Sequence, residues 1–464
     1  MSGPPPVTLE RRLGPIDAAS VVVSNVIGSG ILVLPAVVAI IAPAPWAMLG
    51  IWAFGGLLAL AGAMAYAEMA TLRPRSGGEY VYLREAFGPL AAFLTGWTSF
   101  VAGFSGAIAV TSVTFAGYLG RFFSFAGDTT PFFSIPLGVI TLSLTSQSLV
   151  ALVMIFALSG IHMIGLGPGR AVQNVLAMIK FAALIIFVIA GLAFGNGSWE
   201  NFQGGSSVPP SAWLLALIPV MFSYSGWNAA AYIAEEIKDP DRNLPRALAL
   251  GTIAVVIAFV LMNVVYIYAL PVPEMQKMSM RVIDSAADRL FGPTVGNLLA
   301  LVTLMIAAGS ISAMIFAGPR VYLAMARDGL FLPQAARIHP VYRTPAFAII
   351  AQAVWSGVLV ISGTFEQLAL YTGFAVLLFA SVAVSALFVL RRRFPDEPRP
   401  FKAWGYPVAP TLFVIAGFAG VLNAFWREPG PSVRGVVLIA IGIPLYFLMK
   451  TRLNRSQQRL PLES

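Results

Sequence analysis

Gly28-Ser29-Gly30 interrupts the apolar run Ala18 to Ile41, and Ser223-Tyr224-Ser225-Gly226 interrupts the run Ala212 to Ala234. Unwinding a helix in hydrocarbon strands backbone N–H and C=O groups, so such breaks persist only where those groups are buried in protein or meet a ligand. A half-helix N-terminus offers free N–H groups and a positive dipole end, which suit a carboxylate. The opposite half-helix ends offer carbonyls, which suit an ammonium. Two breaks side by side can therefore hold both ends of a zwitterion without a charged side chain, and the ligand this predicts is an α-amino acid. A Gly-x-Gly pair also has a plainer use, as a face that lets a second helix pack closely. Ser29, the flanking Asn25 and Pro35, and the matching break at Ser223 favour the unwound site.

Lys180 lies about ten residues, or ~15 Å, inside an apolar run. An intramembrane charge costs roughly 2.5–3.5 kcal/mol or more, so a functional role is the default for it. That depth is too great for easy snorkelling to the interface. Glu68 sits near a span end, within reach of Arg73 or Arg75, and reads as a paired structural carboxylate rather than a proton relay. His162 has no acidic neighbour in sequence and is expected to hydrogen-bond locally. Phe222, Tyr224 and Trp227 could be simple packing, or gates and walls of a site. No phosphate loop, His-Glu-x-x-His zinc motif or Gly-x-Ser-x-Gly elbow occurs, which argues against an ATPase, an enzyme, a bound metal and a cofactor. Cysteine is absent, so no disulfide can form.

The elements that must position these groups are membrane helices. Apolar residues make up 58% of the chain and charged residues 11%, far below the ~25% of a soluble domain. Twelve apolar runs near bilayer-spanning length are expected, at 17–41, 46–71, 88–119, 147–165, 171–194, 212–235, 247–269, 295–325, 345–362, 367–390, 407–425 and 434–449. With the N-terminus inside, 22 Lys and Arg fall on the cytoplasmic side and six outside, the asymmetry of the positive-inside rule. Both termini are thus expected in the cytoplasm, and the net charge of +9 speaks for lipid headgroups rather than nucleic acid. No cleavable signal peptide is visible.

The expected organisation is an N-terminal tail (1–16), a first inverted repeat (17–194, spans 1–5), a second (212–390, spans 6–10), two further spans (407–449) and a C-terminal tail (450–464). Each repeat opens with a broken span, the plan of many secondary transporters. The stretch Pro271 to Pro293 is amphipathic, with Val282, Ala286 and Leu290 against Arg281, Asp284 and Asp288, and is expected as a short surface helix.

Four separated motifs then carry a family resemblance: SNVIGSGILVLPAVVA, AYAEMATLRPRSGGEYVYLREAFGP, FSYSGWNAAAYIAEEIKDPDRNLPRAL and GPRVYLAMARDGLFLP. Together they resemble the amino acid–polyamine–organocation superfamily over residues 15 to 450. Phe222 to Asn228 looks most like the L-type amino acid transporter branch and its bacterial relatives, sodium-independent exchangers with a LeuT-like five-plus-five fold. The resemblance implies that Gly28, Ser29 and Gly30 hold the substrate carboxylate. It implies that carbonyls of Val26, Ile27, Phe222 and Ser225 meet the ammonium, with Ser223 beside them, and that Phe222 closes over the substrate as a gate. It gives Lys180 the place of a sodium ion, bridging span 5 to the break in span 1. Ser225 stands where a Gly is usual, and Val376 and Leu377 stand where span 10 is often polar; with Tyr224, Trp227 and Asn228 these are secondary candidates. Mammalian members of the branch attach to a heavy subunit through a cysteine, which this chain lacks.

The expectation is therefore an all-α, multi-pass plasma (inner) membrane protein that exchanges or facilitates neutral L-amino acids by alternating access. A proton-coupled amino acid or polyamine symporter, with Lys180 titrating, is the competing reading. A channel would need a continuous polar lining, and a nutrient sensor a long cytoplasmic extension; the sequence shows neither.

Overall fold

The computed structural model describes residues 8–137, 140–205, 207–278, 282–292, 295–363, 365–427 and 429–458. Among the described residues the chain is all-α apart from one hairpin. The first apolar run forms α1 (Pro15–Val26) and α2 (Ser29–Ile41), bent by 44° at the glycine break. Then come α3 (Pro45–Leu72), the short α4 (Glu79–Phe87), α5 (Pro89–Thr98) and α6 (Phe104–Leu119). Strands β1 (Pro131–Leu137) and β2 (Ile140–Thr145) pair antiparallel before α7 (Ser146–Met163) and α8 (Leu166–Phe194). The sixth run breaks into α9 (Pro210–Tyr224) and α10 (Ala229–Tyr232). The rest are α11 (Pro240–Ala269), α12 (Val272–Met275), α13 (Val282–Phe291), α14 (Gly296–Arg327), α15 (Ala346–Ser362), α16 (Phe365–Arg393), α17 (Val408–Arg427) and α18 (Pro429–Gln458).

Among the described residues nine helices are long and apolar enough to cross a membrane, ten with the bent pair, and α9 and α15 are shorter apolar helices at the sixth and ninth runs. Proline opens many of these helices at the first turn (Pro15, Pro45, Pro89, Pro210, Pro240, Pro429), where its missing N–H leaves no bond unmade. Inside lipid there is little hydrophobic drive between helices, so close packing through small residues takes its place. Gly251 of α11 abuts Val22 of α1, and Gly56 of α3 abuts Val256 of α11; a Cβ at either would lie 2.8 Å or 2.6 Å from the neighbouring side chain. In this way α11 is wedged between α1 and α3.

Two features differ from the hydropathy reading. The hairpin between α6 and α7 carries mixed rather than continuous apolar character and left no span-like signal. The amphipathic stretch forms α12 and α13, but α13 packs against α2, α8, α11 and α14, and Asp284 is buried on its inner side, 3.9 Å from Arg121. Of the other two residues expected on that polar face, Asp288 is exposed and Arg281 lies outside the described residues.

One end of the bundle gathers the arginines. There Glu68 of α3 is held by Arg391 (2.6 Å), Arg399 (3.0 Å) and the Ala403 N–H (2.7 Å), not by Arg73 or Arg75. Arg73 is bound instead by Glu85 (2.7 Å) and Glu397 (2.5 Å). Sequence proximity misassigned the partners because α16 and the loop after it fold back onto the end of α3. At the same end the segment before α1 lies along the one after α10: Arg12 and Leu13 N–H groups donate to Glu236 O at 3.0 and 2.9 Å, and Lys238 N–H to Leu13 O at 2.9 Å.

Candidate substrate cavity

The two breaks meet. Gly30 at the start of α2 lies so close to Ser223 of α9 that a Cβ would be 2.9 Å from the Ser223 Cα. Gly226, with φ +106, sits against Asn25, where a Cβ would be 2.7 Å from the Asn25 Cβ. Only glycine satisfies both the left-handed backbone and the close approach at Gly226. Beside this crossing lies a cavity of about 170 Å³, an order of magnitude above the ~10–15 Å³ a single water needs. Its walls come from α1 and α2 (Asn25, Val26, Gly28, Gly30), the second break (Phe222, Ser223, Ser225, Gly226, Trp227, Asn228), α14 (Ser310, Met314) and α16 (Ala375, Val376, Phe379, Ala380). The stretch from α5 to α6 adds Thr95, Thr98, Ser99, Gly103, Phe104, Ala107 and Thr111. Here residues 99–103 form a π-helical turn, a widened geometry often found at functional sites. Thr95 Oγ1 is buried without a hydrogen-bond partner, so its bonding capacity is unspent.

Most of the candidate residues gather here, and some do not. Tyr224 turns away, packing on Trp52 and Phe259 and donating to Trp52 O at 3.0 Å. Leu377 is buried near Gly417 and Gly420 of α17 and does not line the cavity, because one residue's step along α16 rotates it off the Val376 face. Ser29 occupies the first position of α2, and its side chain lies outside the described residues. Ile27 is fully buried, and its carbonyl accepts from both Lys180 Nζ (2.7 Å) and Ser310 Oγ (2.8 Å). Both lone pairs are thereby used, so this carbonyl is not free for an ammonium ligand.

Behind that wall Lys180 of α8 is wholly buried, and its ammonium also donates to Ser24 O at 2.6 Å and to Ser310 Oγ at 3.2 Å. The lysine thus ties α8 and α14 to the last turn of α1, whose carbonyls have no further helix to bond. Ser24 Oγ adds a bond to Gly309 O at 3.3 Å. Nearer the arginine-rich end, Asn174 of α8 donates to Asp17 of α1 at 2.6 Å. His162 bonds Ser312 of α14 at 2.9 Å, a partner from another span rather than a local one.

Two contributors escaped the sequence reading. Ser310 is a small polar residue in an apolar run, and the only hint was its Gly309-Ser310-Ile311-Ser312 setting. Glu79 falls between the expected spans 46–71 and 88–119, yet it opens α4 under the cavity and lines it. Its carboxylate accepts from the Tyr232 hydroxyl (2.8 Å), Asn228 Nδ2 (3.2 Å) and the Tyr66 hydroxyl (3.4 Å). Burial pushes its pKa up to about 7, against these hydrogen bonds, which pull it down.

A family model for amino acid permeases matches residues 13–448. The mouse b(0,+)-type amino acid transporter 1 is 30% identical over 446 residues, covering 95% of this chain and 88% of its own. The human large neutral amino acids transporter small subunit 2 is 28% identical over 459 residues, covering 96% and 82%. The rabbit b(0,+)-type transporter is 31% identical over 405 residues, covering 86% and 80%.

Proposed function

The chain belongs to the amino acid permease family, and on that premise we propose that it exchanges neutral L-amino acids across the plasma membrane by alternating access, without sodium. It is a transporter rather than an enzyme, and the membrane is its home. The observation that carries the reading is the buried Lys180 side chain, whose Nζ reaches Ser24 O, Ile27 O and Ser310 Oγ and, held as an ammonium, would supply a fixed positive charge between α1, α8 and α14. A site already holding its cation needs none from solution. The substrate carboxylate would lie at the N-terminus of α2, among the Gly28, Ser29 and Gly30 backbone groups, with the dipole end favouring it. The ammonium would meet the carbonyls of Val26, Phe222 and Ser225, since that of Ile27 is taken. Phe222 would close over the bound molecule, and Trp227, Asn228 and Val376 would shape the side-chain pocket. Both termini and the arginine-rich end would face the cytoplasm, with anionic lipid around it.

The human relative's name marks it as a small subunit of an assembly. This chain contains no cysteine, so no disulfide-linked partner is available to it and it would insert and transport alone. Uptake of a panel of labelled amino acids into proteoliposomes tests the reading. Neutral amino acids should enter only when the lumen is preloaded, equally in sodium and choline media. An amino acid methyl ester, lacking the carboxylate, should neither bind nor exchange, and tight ester binding would sink the carboxylate assignment.

A further inference from the structure

Among the described residues Glu79 is a cavity carboxylate without a cation. At the arginine-rich end the ion pairs among the described residues are matched elsewhere: Arg84 with Asp328, Arg73 with Glu85 and Glu397, Arg320 with Glu236, Arg327 with Glu235, and Arg391 and Arg399 with Glu68. None includes Glu79. Among the described residues its side-chain donors are neutral and lie on two other elements, Tyr66 on α3 and Asn228 with Tyr232 on the inner side of the second break, and its own backbone N–H adds a bond. Asn228 Nδ2 also donates to the Tyr232 hydroxyl at 2.9 Å, so the three side chains form one closed set. Backbone reinforces the join. The Gly77 N–H donates to Tyr232 O at 3.1 Å. Gly78, with φ +53, abuts the Tyr232 ring, where a Cβ would be 2.5 Å away.

We propose that Glu79 is a proton-binding latch on the cavity floor: ionised, it ties the second broken segment to the turn between α3 and α4 and keeps that end closed; protonated, it lets go. The inference rests on the cavity being the transport site. Hydrogen bonds to an ionised acceptor are roughly twice as strong as neutral ones, so a single proton weakens every tie in the set at once. The proton is available near neutrality because burial raises the carboxyl to about 7. The other groups facing Glu79 do not compete for it. Tyr66, Tyr82 and Tyr232 are phenols, and burial together with the Glu79 charge raises Tyr82 further. On α14 the Arg320 guanidinium is bound by Glu236 at 2.8 and 3.1 Å, and on α8 Lys180 is committed to α1 carbonyls. The cavity residues of α5, α6, α9 and α16 are uncharged.

The test measures exchange in proteoliposomes with equal pH on both faces, from about pH 5.5 to about pH 8.5, a window around the ~7 of Glu79. The native protein should exchange several-fold more slowly as pH rises through that value. Glu79→Gln should run at the fast, low-pH rate throughout. Tyr232→Phe removes a donor that favours the ionised form and should move the midpoint to higher pH. Infrared difference spectra of the native protein should show a carboxylic acid carbonyl band titrating in the same window, missing from Glu79→Gln. A Glu79→Gln protein with the native pH profile overturns the proposal, as does a native protein with no titrating carboxyl band. If Glu79→Gln is not recovered folded, the Tyr232→Phe profile and the native spectrum decide. A protein that exchanges no amino acid at any pH refutes the transport reading instead, and the infrared band still judges Glu79.

Discussion

Replacing Lys180 with Met keeps the buried stem and deletes the ammonium. Three bonds go: to Ser24 O, Ile27 O and Ser310 Oγ. Ile27 O keeps Ser310 Oγ at 2.8 Å, so only Ser24 O loses the partner that lies across the helix interface. An orphaned buried acceptor costs about 1–3 kcal/mol. The substitution also removes the cost of burying a charge, so the bundle should still fold. What disappears is the tie that lets α1 sense α8 and α14. If that tie couples occupancy to conformational change, a loss of about 1–3 kcal/mol corresponds to roughly a 5- to 150-fold drop in exchange turnover. Affinity should change less, because cavity groups other than Lys180 would bind the substrate. Counter-transport in proteoliposomes gives the turnover, and equilibrium binding of labelled amino acid to detergent-solubilised protein gives the affinity. A Lys180→Met protein that turns over at the native rate refutes this reasoning. So does one whose affinity and turnover fall by the same factor, which would make Lys180 a binding group and no more.

Two further expectations follow from close contacts. Gly30→Ala places a methyl 2.9 Å from the Ser223 Cα and must push α2 off α9; substrate binding should be lost while thermal unfolding shifts little, and unaltered binding would show that the breaks need not touch. Glu68→Gln strips a carboxylate, 1% exposed, from Arg391 and Arg399. Breaking a buried pair costs about 3–5 kcal/mol, so this variant should unfold at lower temperature with little effect on affinity, and the opposite pattern would assign Glu68 to the site.

How far the sequence could be read depended on whether a group's partner was close along the chain. Gly28, Gly30 and Gly226 stood out from the packing glycines because Ser29, Asn25 and Pro35 flank the first break and a second break matches it, and Lys180 because a lone charge there is expensive. The bent first span and the broken sixth followed from these, and the all-α class from hydropathy. Ser310 stayed silent: serine is tolerated in membrane helices, and its partners lie 130 and 283 residues away. Glu79 was hidden for a different reason. Its surroundings, Arg75-Ser76-Gly77-Gly78-Glu79, have loop composition, and nothing local says that the loop folds back beneath a cavity. The partners of Glu68 were missed because proximity in sequence favoured Arg73. Helical periodicity separates Val376 from Leu377, but only once the side of α16 facing the cavity is known.

The short backbone ladder between Leu13 and the segment around Ile237 has a practical consequence. Because three backbone hydrogen bonds stitch the entry to α1 to the exit from α10, these two halves of the broken helices should move together. A fluorophore placed just ahead of Leu13 would therefore report the motion of a helix more than two hundred residues downstream in the chain. Trimming the chain through Leu13 should slip the gear: α1 and α10 would move out of step, and in proteoliposomes labelled amino acid would then cross without a counter-substrate, whereas an unchanged requirement for preloading would show that the ladder does not couple them.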